Sequence, residues 1–477
     1  MKNICKIYGL LLLFTIVSCG KQLNVFPTTS EVDGNVIKNL QGAKTALNGV
    51  YYLFADAGLD NNKNPSILWC NVNEITPSEL SGSMTYPYGG SVITSHSYNS
   101  TTSGIGDIWN YSYKIVNAAN GFLKNIATAN SILADDKKEM IVEAKFLRAY
   151  ANAELLFYYA QYNDTTSPYG IIIRKDFTTT DNTTLPRSSV KESYDFILSD
   201  LDDAIAGLPD MNKQNYYTNI WAAKLLKARV LMVRATSSDD AQVIGLCKDI
   251  ITQSPFTLED STKDIFLSKG LNSNEVILGI KPYANDIFKY NEYLYFTDAI
   301  ASDSMVSNFA NDPRSNWVYQ PKFSNYLGAD MNLITKYFSG TVKNSSPTAT
   351  SSVSYAMRLT EAYLLEAEAI TESGGNLNDA KTLLKTVLAH AGFTDFSNVD
   401  AENSAAGLQL MIVKEEMKNF VGEAGQDWLA VRRLPFTTLQ KLIPTITSKT
   451  LLLLPIPQDE ITKNIKLKGM QNPGYGN

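Results

Sequence analysis

The sequence predicts a mainly α-helical fold: a tetratricopeptide-like scaffold of helix pairs with long irregular loops and a few short strands. Three observations predict it. Several stretches carry apolar residues at helical spacing. These stretches recur in pairs at intervals of roughly 34 to 45 residues, the range of helix-pair repeats. Two long segments, around residues 60–103 and 272–350, are instead rich in Tyr, Asn, Ser, Thr and Gly. Loops of that length are uncommon in compact domains and often functional.

The helices follow in order. Ile37 to Phe54 places Leu40, Ala43, Leu47 and Val50 on one face. Ile108 to Ala129 reads as a second helix. After Asp135, Met140, Ala144, Leu147, Ala151, Leu155 and Tyr158 form an apolar stripe. Ser189 to Leu208, Thr218 to Ala235 and Asp239 to Gln253 follow, the first closed by Pro209. Tyr355 to Gly374 reads as one helix, free of internal Pro and Gly and ended by Gly374-Gly375. Its Ala-lined face invites a close helix partner, here Asn378 to Ala391. Leu408 to Val421 is another helix, and Trp428 to Leu434 a shorter one. The alternation in Glu275 to Tyr283 suits a strand. The tail from Leu451 reads as extended and turn-rich.

Composition narrows the function. The chain has 477 residues and 44% hydrophobic content, enough for a large core or two lobes. Its net charge of −6, with no basic patch, argues against a nucleic-acid binder. The two His, His96 and His390, leave little material for a triad or zinc site. No CxxC pair exists; Cys70 and Cys247 read as two buried thiols, with a disulfide between them as the alternative. Glu361, Glu368 and Glu372 gather on one side of their helix, where an Arg-paired or solvated face is a better reading than glycosidase chemistry. Asp200, Asp202 and Asp203 read as an exposed acidic face, not a calcium loop. Glu366 falls amid apolar positions and is expected to find a cationic or hydrogen-bonding partner.

The first segment reads as an address. Lys2 and Lys6 precede an apolar core, Ile7 to Val17, too short to span a bilayer. Ile16-Val17-Ser18-Cys19 then resembles a lipobox. Residues 1–18 are expected to be a lipoprotein signal peptide, Cys19 the acylated residue, 19–36 a tether, and 37–477 the body. Acyl chains contribute about 0.8 kcal/mol per buried CH₂, so several of them anchor a protein to the membrane.

Five motifs carry a resemblance: the lipobox with Leu23-Asn24-Val25 and Pro27-Thr28-Thr29; Glu143 to Tyr150; Ile220 to Val230; Arg358 to Leu365 with Ala367-Glu368-Ala369; and Pro455-Ile456-Pro457 with Glu460-Ile461 and Gln471-Asn472-Pro473-Gly474-Tyr475. In this order they resemble the SusD/RagB family of outer-membrane lipoproteins over nearly the whole chain. The resemblance implies a non-catalytic binding protein with no cofactor and no metal. It implies capture of oligosaccharide, or of peptide in the RagB-like alternative, and delivery to a TonB-dependent SusC-like barrel. It also implies an outer-membrane, lipid-anchored protein facing the cell exterior. Two departures stand out. Gly20-Lys21-Gln22 replaces the acidic residues that often follow the lipidated Cys. Glu416, Ala424, Gln426 and Leu429 replace residues of an ion network near Glu415 to Arg433, which is expected to be rebuilt.

Sugar rings present C–H faces that pack on aromatic rings, so the search for a site turns to aromatics in polar, irregular stretches. Trp109, Trp221 and Trp428 lie in helical patterns and read as packing. Tyr86, Tyr88 and Tyr98 in the first loop, with Trp317 and Tyr319 in the second, are the expected ligand-facing residues.

Overall fold

The computed structural model describes residues 37–339, 347–348 and 350–476. The expected signal peptide, Cys19 and the whole of the tether lie outside the described residues.

The scaffold is a succession of helices: α1 (Leu40–Phe54), α2 (Asp107–Ala127), α3 (Ala134–Tyr159), α4 (Val190–Gly207), α5 (Ile220–Arg234), α6 (Asp239–Gln253), α7 (Leu359–Glu372), α8 (Leu377–His390), α9 (Ala405–Phe420) and α10 (Gln426–Val431). Each helix from α1 to α6 packs on the next; α6 packs on α7, and α7 also meets α8 and α9. This is the tetratricopeptide-like arrangement that the spacing predicted. Local chemistry sets the ends. Ser189 and Glu192 form a capping box at the start of α4, each side chain bonding the other's backbone N–H. Asn219 caps α5, accepting from the Ala222 amide. Ala235, left-handed at φ 50°, ends it.

The expected helix Tyr355 to Gly374 is corrected at its start. Ser354–Arg358 is a strand, β8, and the helix begins at Leu359. The reason is tertiary: β4 (Val276–Ile280) pairs with β8 antiparallel, and both are buried along their whole length. Sheet pairing overrides the helical propensity of Tyr-Ala-Met-Arg.

Family-like motif residues hold this scaffold together. Arg148 in α3 donates two hydrogen bonds of 2.8 Å to Asp200 in α4. Asp200 is therefore buried, which corrects its reading as exposed; Asp202 and Asp203 pair with Lys227 and Lys145. Arg229 in α5 forks onto Glu361 in α7 at 2.7 and 2.8 Å. Arg433 bridges Glu368 and Glu416, and Glu372 accepts from Gln409. Arg358 joins Glu275 at 2.6 Å and Glu423 at 2.7 Å, while Glu423 also holds Lys336. Glu415 and Asp312 clasp Arg314. The ion network expected to be rebuilt thus has partners on five segments. Near the C-terminus, Asn472 accepts from Arg187 and donates to the carbonyls of Tyr159 and Leu454. Gln471 exchanges two hydrogen bonds of 2.9 Å with the backbone of Ile456. The Pro-Ile-Pro and Gln-Asn-Pro-Gly-Tyr motifs are one clip.

Glu366 departs from expectation. It is almost buried, yet its carboxylate makes no ion pair or hydrogen bond with any described residue. Burial pushes it up to about 7, opposed only by the field of Lys248. The carboxyl solves its burial by holding a proton more readily. Cys70 and Cys247 are free, buried thiols in separate cores.

The two loop segments are not wholly irregular. Beside β1 (Ala57–Leu59) and β2 (Pro65–Ile67), they supply a second sheet of β3 (Met84–Thr85), β5 (Ile300–Ala301), β6 (Tyr319–Ser324) and β7 (Ala329–Ile334), in the order β3-β5-β7-β6. This sheet covers its own core, in which Phe266, Tyr293, Tyr337 and Tyr355 pack together.

Candidate functional site

The four-stranded sheet brings distant loops together. β3 runs into Thr85-Tyr86-Pro87-Tyr88-Gly89-Gly90, where Gly89 and Gly90 at φ 128° and 77° turn the chain back. β5 is preceded by Tyr295-Phe296-Thr297. The β6–β7 hairpin turns through Asn325 to Gly328, with Gly328 at φ 65°. Tyr88 and Thr297 are hydrogen-bonded through their hydroxyls, linking the first loop to the second. Tyr86 meets Tyr88 edge to face at 5.5 Å, and Tyr88 meets Tyr326 of the hairpin turn at 5.8 Å. Tyr295 and Phe296 form another edge contact at 5.1 Å. Tyr326 is 83% exposed, Tyr295 70% and Phe323 60%. Phe323 and Tyr326 belong to the hairpin and Tyr295 to the segment before β5, and exposed rings so gathered make a candidate recognition surface.

A polar cleft of about 300 Å³ has Phe296, the neighbour of Tyr295 and Thr297, in its wall. Asp60, Asn61, Asn71, Glu292 and Asp298 supply its polar groups, and Leu59, Leu68 and Phe288 its apolar ones. Burial pushes Glu292 up to about 7, with the Asp298 charge adding to the shift. Burial raises Asp298 as well. Such a cleft accepts hydroxyl or ammonium protons beside an aromatic face.

The expected ligand residues divide. Tyr86 and Tyr88 are half-buried and belong to this surface. Tyr98 is buried; it donates to the Leu451 carbonyl at 2.6 Å and stacks on Tyr475. Trp317 is buried in the second core against Phe266, with 8% exposure. Both anchor their loops and offer no ring face outward. Tyr319 is half-buried, edge-on to Phe309, at the end of the hairpin away from its turn. Sequence reasoning missed Phe296, Phe323 and Tyr326. The signal for Tyr326 was present: an aromatic beside a glycine in a polar stretch, Ser324-Asn325-Tyr326-Leu327-Gly328. His96 is structural: burial pushes it down to about 4, and its ring bonds Thr445 and the Leu80 carbonyl. Trp109, Trp221 and Trp428 are buried in the main core, as read.

A helical-repeat scaffold that holds an exposed aromatic face on inserted loops defines the class of protein, and comparison gives the family. Residues 43–232 match the family described as starch-binding associating with outer membrane, and residues 328–475 match the SusD family. The chain belongs to the SusD/RagB family. It is 25% identical over 183 residues to a SusD-like protein of Bacteroides ovatus; that match takes in 36% of this chain and 32% of the relative, so it spans about a third of the relative's length. Crystal structures of SusD superfamily proteins share the fold. One from Bacteroides thetaiotaomicron superposes with a TM-score of 0.73 at 19% identity, covering 91% of this chain and 100% of that one. One from Parabacteroides distasonis gives 0.74 at 17%, covering 91% and 99%.

Proposed function

We propose that the chain is a non-catalytic glycan-capturing lipoprotein. One observation carries this: Tyr86 and Tyr88 of one loop meet Tyr326 of another, and Tyr88 bonds Thr297, the neighbour of Phe296, which walls a cleft of carboxylates and amides. The rings take the C–H faces of sugar residues, and Asp60, Asn61, Asn71, Glu292 and Asp298 take their hydroxyls. The family description, starch-binding and associating with the outer membrane, supports the reading.

In this reading Cys19 carries the lipid that holds the protein at the outer membrane, facing outward. Among the described residues no helix is long and apolar enough to cross a membrane. Captured ligand passes to a TonB-dependent SusC-like barrel that closes against this face. The carboxylates Glu361 and Glu368 are buried and engaged by arginines, which supports binding over hydrolysis.

A second reading has its own support. The carboxylates of the cleft suit the ammonium groups of a peptide, as in the RagB-like alternative. A glycan array and a peptide pool, each probed with the purified chain, separate the two. Retention by glycans, with co-purification of a barrel from native membranes, is the expected result. Retention by peptides alone, or turnover of a bound glycan, would replace this reading.

A further inference from the structure

A larger cleft, about 500 Å³, opens on the scaffold and shares no lining residue with the acidic one. Four segments build it: the C-terminal half of α1 with Ala55 and Ala57, Ile67 at the end of β2, the loop before α5 at Tyr216-Tyr217, and the end of β4 running into Lys281-Pro282-Tyr283-Ala284. The walls are fixed before any ligand arrives. The Gly279 amide donates to the Asn215 carbonyl at 2.8 Å. Tyr217 donates to Asn48 at 3.1 Å and meets Tyr51 edge-on at 4.9 Å. Tyr51 receives the Thr218 amide at 3.1 Å and donates to Glu143. The Tyr283 hydroxyl is hydrogen-bonded to Tyr52.

Tyr52, Tyr216, Tyr217 and Tyr283 are all half-buried, so each rests on the protein while part of it stays accessible. That is the presentation a flat ring ligand needs. The charge of the cleft is equally specific. No carboxylate lines it. Of the carboxylates beside its walls, Glu143 is taken by Tyr51 and Asp286 by the amides of Ile67 and Phe288, each at 3.0 Å, while burial pushes Asp56, between the lining residues Ala55 and Ala57, up to about 6. Lys281 is exposed at the rim, with its ammonium 5.1 Å from the centre of the Tyr216 ring and no carboxylate among the described residues paired to it. A cation held over an aromatic face, with its charge unspent, is set to meet an anion.

We propose that this cleft is a second ligand site, for a ring ligand bearing a carboxylate, such as a uronic-acid sugar. The tyrosines take the ring and Lys281 takes the carboxylate. The acidic cleft beside Phe296 repels the same ligand, so the two sites sort ligands by charge. The inference does not rest on the glycan reading of the first site.

The test is calorimetric titration of the full chain with digalacturonate and with neutral galactobiose. The wild type is expected to bind digalacturonate more tightly. Lys281→Glu is expected to weaken it by about tenfold or more, Lys281→Arg to retain it, and Tyr283→Ala to weaken both ligands. Melting temperatures check that each variant is folded. Tyr326→Ala, which alters only the first site, distinguishes the two proposals: digalacturonate binding should survive it. The inference is overturned if digalacturonate binds no better than galactobiose, if neither binds, or if Lys281→Glu binds as the wild type does.

Discussion

In the scaffold, Arg229, Arg358 and Arg433 are each enclosed with carboxylates and almost without exposure. At the edge of the second sheet the pattern reverses. Glu292 and Asp298 share a cleft with no cation in its lining, and the Tyr326 ring stands in solvent. The difference teaches where selection for stability ends and where recognition begins. A charge inside a low-dielectric core is tolerated only when a partner offsets its lost hydration. A half-buried carboxylate left without a cation, beside rings left without a cover, is costly to keep unless something else binds there.

Arg358→Met removes the cation between Glu275 and Glu423 and leaves Lys336 to serve Glu423 alone. The expected loss is about 3–5 kcal/mol, because buried Glu275 loses its cation and Glu423 keeps one of two. Urea unfolding followed by circular dichroism measures it. A loss below about 1 kcal/mol would mean the network is not what holds the α7 region.

Within the insertions, Trp317 sharpens the contrast. It was expected at the ligand face and lies in the second core instead. Trp317→Ala is therefore expected to cost about 3 kcal/mol of stability through the cavity it leaves. Tyr326→Ala should change stability by no more than about 0.5 kcal/mol. Equal melting temperatures for the two variants would erase the distinction between anchor and platform.

The smallest effect concerns pH. Burial, with Asp298 beside it, raises Glu292 to about 7, so the free site holds a proton there below that value and is charged above it. A ligand that prefers the charged form binds better as pH rises through 7. An ammonium-bearing peptide is thus expected to gain about threefold between pH 6 and 8, and a neutral glycan to change little. Glu292→Gln should flatten the peptide profile. The same raised value acts on folding in the opposite direction: the native state binds the proton more tightly than the unfolded chain, so this group's contribution falls as pH climbs from about 4.5 to 7.

The helices were legible because their pattern is local. Apolar spacing, capping residues and terminal glycines lie within one turn of each other, and the boundaries of α4, α5 and α6 came within two residues of those observed. The strand β8 was not legible, because Tyr-Ala-Met-Arg carries helical residues and becomes extended only through pairing with β4, some eighty residues earlier. The candidate site was half legible. Composition found the two loop segments and the Tyr86–Tyr88 pair. It could not tell Trp317 from Tyr326, since both sit among polar residues and only the fold puts one under the sheet and the other at a hairpin turn. Glu366 is a third kind of case. A buried acid was foreseen, but raised affinity for its own proton takes the place of a partner.

In the proposed function, ligand is captured on the rings joined by the second sheet. The most direct measurement is the affinity of the Tyr88→Ala/Tyr326→Ala double variant for whichever glycan of an array the wild type retains, alongside its melting temperature. The expected result is an affinity lower by about tenfold or more at an unchanged melting temperature. A double variant that melts and binds as the wild type does would contradict it.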